Sequence, residues 1–375
     1  MRIETQMNDM LENFRLYGGI MVAMNDWKSG DVFAEVQYLP KRIDFGIRFD
    51  RKCIYWVNDG TDNYAQRQEK YTFQKVELSA SLPLLTRLRI SAKPFIGFSR
   101  FVDRGVENPS SGSGGPQFNP SITQFYGGGK AEVVYDNSVM TGLNIIEGTR
   151  AKIVFNNYVS MESSKLNFSN LSIDIRHYQK IYKEIVLAVR GFGGTFMGNA
   201  PKKYLLGGMD NWVFNKSNTS GVGNPLVGRT GFNSDLLFME YATTLRGFDY
   251  ATFFGTSALL GNIELRLPLI RALASGPIAS TFFRNMQLTA FYDIGTSWSG
   301  SPSFNGKRSV RSREVQKGPF TVKIDEYLNP WLYSYGVGFR SILFGGYYVK
   351  FDLAYPVENY LVQNPRLHVT LGFDF

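Results

Sequence analysis

The sequence predicts an all-β chain, a transmembrane antiparallel β-barrel, on three observations. Residues Arg366 to Phe375 alternate without a break, Leu367, Val369, Leu371, Phe373 and Phe375 on one face and Arg366, His368, Thr370, Gly372 and Asp374 on the other. That is the period-2 pattern of a strand with oil on one side and water on the other. Aromatic residues make up 15% of the chain, yet mean hydropathy is only −0.18. A barrel reconciles the two, because its lipid face occupies alternate residues. The sequence also lacks any run of about 18 uncharged apolar residues, which excludes spanning helices.

Taken in order, the alternation runs through the chain. Residues 2 to 8 read as the stub of a strand ending near Asp9-Met10, with 1 to 13 as a partial strand and turn. Phe14, Leu16, Gly18, Ile20 and Val22 form the first full face, and Val32, Ala34, Val36 and Tyr38 the next. In 42 to 50, Ile43, Phe45, Ile47 and Phe49 oppose Arg42, Asp44, Gly46, Arg48 and Asp50. Val76, Leu78, Ala80 and Leu82 oppose Lys75, Glu77, Ser79 and Ser81, and Leu88, Ile90, Ala92 and Ile96 oppose Arg87, Arg89, Ser91 and Lys93. Further strands are expected at 122 to 136, 149 to 160, 165 to 178, 184 to 196, 258 to 268, 286 to 298, 331 to 342, 346 to 356 and 366 to 375. This gives about fourteen strands besides the stub, each near the ten residues of a tilted membrane strand.

Short turns such as Leu39-Pro40-Lys41 and Phe344-Gly345-Gly346 take turns with longer polar segments at 58 to 70, 100 to 121 and 299 to 330, the barrel habit. Ser110 to Pro116 reads as a flexible loop tip. A soluble propeller would repeat a shared signature every 40 to 50 residues or so, and none occurs. A soluble sandwich rarely needs this many outward aromatics.

The net charge is +9. Its cations are spread singly along strands, as at Arg42, Arg48, Arg87, Arg89 and Lys93, with no basic cluster for nucleic acid. A strand cation on the lipid face costs about 2 to 4 kcal/mol at mid-membrane, so these residues are expected to face the lumen. One cysteine, Cys53, and two histidines, His177 and His368, leave no disulfide, metal or cofactor site to expect. No nucleophile elbow, HExxH or phosphate loop is present, so no enzyme activity is expected. The first residues carry Glu4, Asp9 and Glu12 and no apolar core, so they are no signal peptide. For a barrel of the outer membrane this implies that an amino-terminal part of a parent precedes them.

The connection from Met197 to about 257 contains Leu245-Arg246-Gly247-Phe248-Asp249-Tyr250. It is followed by Leu259 to Pro268, then by Phe291-Tyr-Asp-Ile-Gly-Thr-Ser-Trp298, Tyr335-Gly-Val-Gly-Phe-Arg340, Leu353-Ala-Tyr-Pro356 and Leu371-Gly-Phe-Asp-Phe375. In order and spacing these resemble the bacterial surface-antigen superfamily, which includes BamA- and TamA-like assembly proteins and two-partner secretion transporters. The resemblance covers roughly 184 to 375, with a weaker echo at Tyr135 to Ser138 and Thr141-Gly142. Gly207-Gly208-Met-Asp-Asn-Trp212 looks most like relatives that carry a propeller.

The resemblance implies a sixteen-stranded parent and a barrel over 14 to 375, with about 14 to 16 strands in this chain. Either the first strand and part of the second lie in the missing upstream part, or fourteen strands close with 14 to 24 against 366 to 375. It also implies that the 197 to 257 loop enters the lumen, where Arg246, Gly247 and Phe248 form its motif and the arginine meets Glu264 and Asp293. Strand parity permits this, since Asn262, Glu264 and Arg266 share a face, as do Gln287, Thr289, Phe291 and Asp293. Gly372 is expected to weaken the closing seam, and Phe375 resembles the terminal aromatic that marks barrels for assembly. The implied location is the bacterial outer membrane, and the implied work is insertion or translocation of proteins. Lipid, client outer-membrane or secreted proteins and periplasmic accessory proteins are the implied partners. The alternative is a barrel anchor or passive channel serving a missing periplasmic or hydrolase domain.

Overall fold

The computed structural model describes residues 2–11, 13–22, 29–39, 42–58, 67–103, 121–142, 145–219, 224–226, 235–273, 276, 278–301, 304, 311–317, 320–326, 329–343 and 347–372. Its main element is one antiparallel sheet of 17 strands. Two of these, Val139–Gly142 and Leu361–Val362, are short flanking pieces. The other fifteen follow one another in hairpin order: β1 Arg2–Asn8, β2 Phe14–Val22, β3 Gly30–Tyr38, β4 Asp44–Asn58, β5 Arg67–Leu85, β6 Leu88–Asp103, β7 Ile122–Asp136, β8 Ile145–Ser160, β9 Phe168–Tyr182, β10 Ile185–Gly198, β11 Ser257–Leu267, β12 Gln287–Trp298, β13 Leu332–Leu343, β14 Tyr347–Glu358 and β15 Arg366–Leu371.

All fourteen anticipated strands are present, and the stub at 2 to 8 is a paired strand. β2 pairs with β1 and β3, so a fourteen-stranded closure of 14 to 24 on 366 to 375 is not what forms. Antiparallel pairing through fifteen strands makes β1 and β15 run in the same direction, and no pairing joins them among the described residues. The turns at Pro40-Lys41 and 344 to 346, the tip at 110 to 116 and Phe375 lie outside the described residues.

The alternation sorts side chains as a membrane wall requires. Phe45, Ile47 and Phe49 on β4, and Leu367 and Leu371 on β15, are exposed on the outer face, while His368 and Thr370 are fully buried inside. Arg48 and Lys93 face inward and are ion-paired, Arg48 to Glu35 at 3.1 Å and Asp50 at 2.8 Å, Lys93 to Glu132 at 2.6 Å. Arg42 and Arg87 differ from expectation: they fall in the turns at the short-connection rim, where water solvates them without a lumen partner being needed. The short-connection end carries one exception, the β11–β12 link, which contains helical turns at Leu269–Leu273 and Thr281–Arg284.

At the other end the strands outrun the membrane. β5 has 19 residues, about 60 Å at 3.3 Å per residue, against roughly 30 Å of hydrocarbon. On its inner face Lys75 and Glu77 give way outward to Phe73 and Tyr71, and both rings are buried. Phe101 of β6, Tyr126 of β7, Phe168 of β9 and Phe196 of β10 continue an aromatic collar around the outer lumen. The collar is buried because the 198 to 257 connection folds into it. Within that connection Tyr204–Leu206, Glu240–Ala242 and Phe253–Gly255 form a small sheet. Phe238, from the helical turn Asp235–Phe238, packs edge-on against Phe73, Tyr126 and Phe168 at centroid distances of 5.0, 5.4 and 5.0 Å. One loop thus touches inner faces from β5 to β15, which requires the sheet to curl around it.

Candidate functional site: the loop anchor in the lumen

Below the collar the loop descends along the wall made by β9 to β15. Its turn at Arg246-Gly247 sits between strands that present charge. Arg246 is 1% exposed, and its guanidinium grips Asp293 of β12 with two bonds, Nε to Oδ2 and Nη2 to Oδ1, both 2.7 Å. Nη1 donates to Glu264 Oε2 of β11 at 2.8 Å, and the Arg246 backbone N–H adds a bond to Asp293 Oδ2 at 3.2 Å. The planar fork of arginine suits such bidentate capture, which lysine cannot reproduce. The guanidinium also lies over the Phe291 ring, 3.5 Å from its centroid, so an aromatic residue at lumen parity has a cationic partner.

Three carboxylates, Glu264, Asp293 and Asp352, face three guanidiniums, Arg246, Arg266 and Arg340. Glu264 receives Arg266 Nε at 2.7 Å and both Arg340 Nη atoms at 2.8 and 2.7 Å. Asp352 stands behind, 3.7 Å from Arg340 and 4.0 Å from Arg246. Every member is essentially buried, as is Lys350 on the same face of β14, and the direct pairing of guanidinium with carboxylate is what makes burial of so many charges tolerable. Burial alone would push the Arg246 guanidinium down, but the carboxylates of Asp293 and Glu264 more than offset it and hold it protonated, above the usual arginine range.

Gly247 adopts φ +87, and a Cβ there would press on the Pro356 ring from 3.0 Å. Glycine therefore lets the turn lie against β14. Its N–H donates to His368 Nε2 of β15 at 2.8 Å, so that nitrogen is the unprotonated one. Phe248 is buried in the apolar cluster that the loop shares with the barrel wall. The structure thus brings Arg246, Glu264 and Asp293 into contact and places Gly247 on the last strand. Gly372 adopts φ +103 at the end of β15, where its N–H meets the Tyr348 carbonyl at 2.9 Å.

Several participants were not singled out from sequence. Arg340, Asp352 and His368 complete the network from β13 to β15, and their shared inward parity was the available signal. A second anchor lies on β9 and β10, where Arg190 binds Asp174 at 3.2 and 3.0 Å and donates to the Thr243 carbonyl at 2.6 Å. The tract at Gly208 to Trp212 also reaches the last strand. Gly208 exchanges backbone bonds with Leu245 and Phe248, and the Trp212 ring lies 4.5 Å from the His368 ring.

Residues 132–375 match the Omp85 superfamily domain. No curated protein matches in sequence. Solved structures with the same fold include BamA from Haemophilus ducreyi lacking POTRA domains 1-3, with TM-score 0.54, 12% identity, 99% of this chain and 69% of that one covered. CdiB from Acinetobacter baumannii gives TM-score 0.57, 11% identity, 99% and 55%. CdiB from Escherichia coli gives 0.54, 10%, 99% and 58%. At these identities the likeness is one of fold, and the chain spans little more than half of either CdiB.

Proposed function

The chain belongs to the Omp85 superfamily, barrels of the bacterial outer membrane, and from that premise we propose that it takes part in inserting or translocating proteins there. The observation that carries this reading is the folded loop in the lumen, sealed into an aromatic collar and ion-paired to β11 and β12. Such a plug is a poor design for a passive solute channel, whose conduction needs an open polar lumen. It suits a barrel whose working element is its wall, where strand can meet strand by backbone pairing. Client outer-membrane or secreted proteins are then the partners, with periplasmic accessory proteins delivering them.

The test is reconstitution of the full-length protein in lipid vesicles. A urea-unfolded outer-membrane barrel is added and its folding is followed by protease protection. Faster client folding than in empty vesicles, with little ion conductance, is the expected result. No acceleration together with large steady conductance would replace this reading with the channel.

A further inference from the structure

The outward face of β3 to β7 carries charge in one place only. It is made of the even-numbered residues of β3, β5 and β6 and the odd-numbered ones of β4 and β7, and its charged side chains are Arg51, Lys70 and Arg100. All are cations, and no acid shares that face. Register brings them together: Thr72 of β5 stands opposite Arg100 of β6, Lys70 is one outward position beyond Thr72, and Arg51 of β4 stands opposite Gln74, one outward position before it. Direct neighbours on one face of a sheet have Cβ atoms about 5 Å apart and diagonal ones about 7 to 8 Å, so the three cations surround Thr72. They line a cavity of about 290 Å³ with Phe98 at its lower side.

Among the described residues none of the three has a carboxylate partner. The ion pairs of this wall lie on its inner face, as Arg48 with Asp50 does at 2.8 Å. Lys70 rests over the Tyr55 ring, 5.4 Å from its centroid. Arg51 and Arg100 are exposed, and Thr72 beneath them is buried.

Height decides what the patch meets. The outward residues of β6 are apolar from Leu88 through Ile90 and Ile96 to Phe98, and Arg100 follows. That apolar run is about 33 Å long at 3.3 Å per residue, and a strand tilted by about 40° turns it into roughly 25 Å of height, the height of a barrel's lipid-facing band. On β5 the outward face is likewise apolar from Leu82 to Val76 before it reaches Gln74, Thr72 and Lys70. The patch therefore sits where acyl chains give way to headgroups, on the side of the long connections. Each of β4, β5 and β6 is paired on both edges, so the patch is independent of the ends of the sheet.

We propose that Arg51, Lys70 and Arg100, with the Thr72 hydroxyl, bind the phosphate of an outer-leaflet lipid headgroup. Three cations held side by side without an acid repel one another until an anion joins them, and the arginine fork matches phosphate oxygens two at a time. The apolar wall below, from Phe98 and Val76 downward, receives the same lipid's acyl chains. A zwitterionic headgroup brings its own ammonium to the cations and fits less well than a phosphate monoester. The site thus fastens one anionic lipid to the wall at β4 to β6, whichever client or solute the barrel handles.

The test is native mass spectrometry of the full-length protein in detergent, with diphosphoryl lipid A as the probe. The wild-type protein should retain lipid A at concentrations where phosphatidylethanolamine does not bind. Arg51→Gln, Lys70→Gln and Arg100→Gln combined should weaken retention at least about tenfold. Lys165→Gln, which removes an exposed cation from the turn Ser164–Leu166 at the same end of the barrel, should leave it unchanged. Lipid A stripped of its phosphates should not be retained by the wild-type protein, an outcome that needs no variant to fold. Millimolar inorganic phosphate should not displace lipid A. Undiminished retention by the triple variant, equal retention of phosphate-free lipid A or phosphatidylethanolamine, or an equal loss in Lys165→Gln would each overturn the site. Displacement by inorganic phosphate would assign the patch to the free anion and overturn the lipid.

Discussion

Replacing Arg246 by Ala should free the loop tip from the wall without unfolding the barrel. The variant removes three side-chain bonds, two to Asp293 and one to Glu264. Glu264 keeps Arg266 and Arg340, so its charge stays compensated. Asp293 does not fare as well: it is fully buried, and its remaining donors are Asn262 Nδ2 at 2.8 Å and the backbone N–H of residue 246 at 3.2 Å. Stranding one partner of a buried pair costs about 3 to 5 kcal/mol, which shifts local docking by roughly two to three and a half orders of magnitude. Because the collar contacts above are untouched, the loss should be local. Limited proteolysis should cut the 243 to 250 segment much faster, while the barrel keeps its heat-resistant migration on a gel. Adding Asp293→Asn should recover part of the resistance, because the stranded charge is gone. Cleavage of Arg246→Ala at the wild-type rate, or no recovery in the double variant, would refute the stranded-charge argument.

Phe238→Ala should open the outer seal, at a cost of about 3 to 5 kcal/mol for a core phenylalanine, read as raised ion conductance in planar bilayers. Gly372→Ala forces a side chain to φ +103; strain of about 1 to 3 kcal/mol should lower the heating temperature at which the barrel loses its folded gel mobility. His368→Ala removes the acceptor of the Gly247 N–H and the ring under Trp212. The Leu371 amide, which donates to the Asn211 carbonyl beside Trp212 at 3.3 Å, should then exchange at least about tenfold faster, with the protease resistance at Arg246 retained through Asp293.

The barrel was legible because a membrane wall enforces strict alternation. A one-residue slip in 44 to 50 would put Arg48 and Asp50 in lipid, so parity alone located β4 and its inner face. The same strictness recovered β1 from seven residues. The collar was harder to read. Tyr71 and Phe73 share parity with Lys75 and Glu77, and in sequence those rings look like lapses in a polar face. They are where the lumen ceases to be water and becomes the seat of a folded loop, information that lies in residues 204 to 254 and not in the strand.

The site divides along the same line. Arg246, Glu264 and Asp293 could be anticipated because two of them sit on strands of known parity and the resemblance supplied the third. The stagger of β11 to β15 brings Glu264 beside Arg340, 76 residues away, and no local pattern records stagger. Nor does a three-residue segment show periodicity, so the backbone bonds of Asn211 and Val213 to Leu371 and Val369 of the last strand, around a Trp212–Thr370 bridge, could not be read. Once both are placed, His368 is seen to join them, accepting from Gly247 beside the ionic anchor and packing under Trp212 on the strand edge. The anchor rests on β11 and β12, whereas Asn211 to Val213 rest on β15, and His368 is the residue of β15 that touches both Gly247 and Trp212.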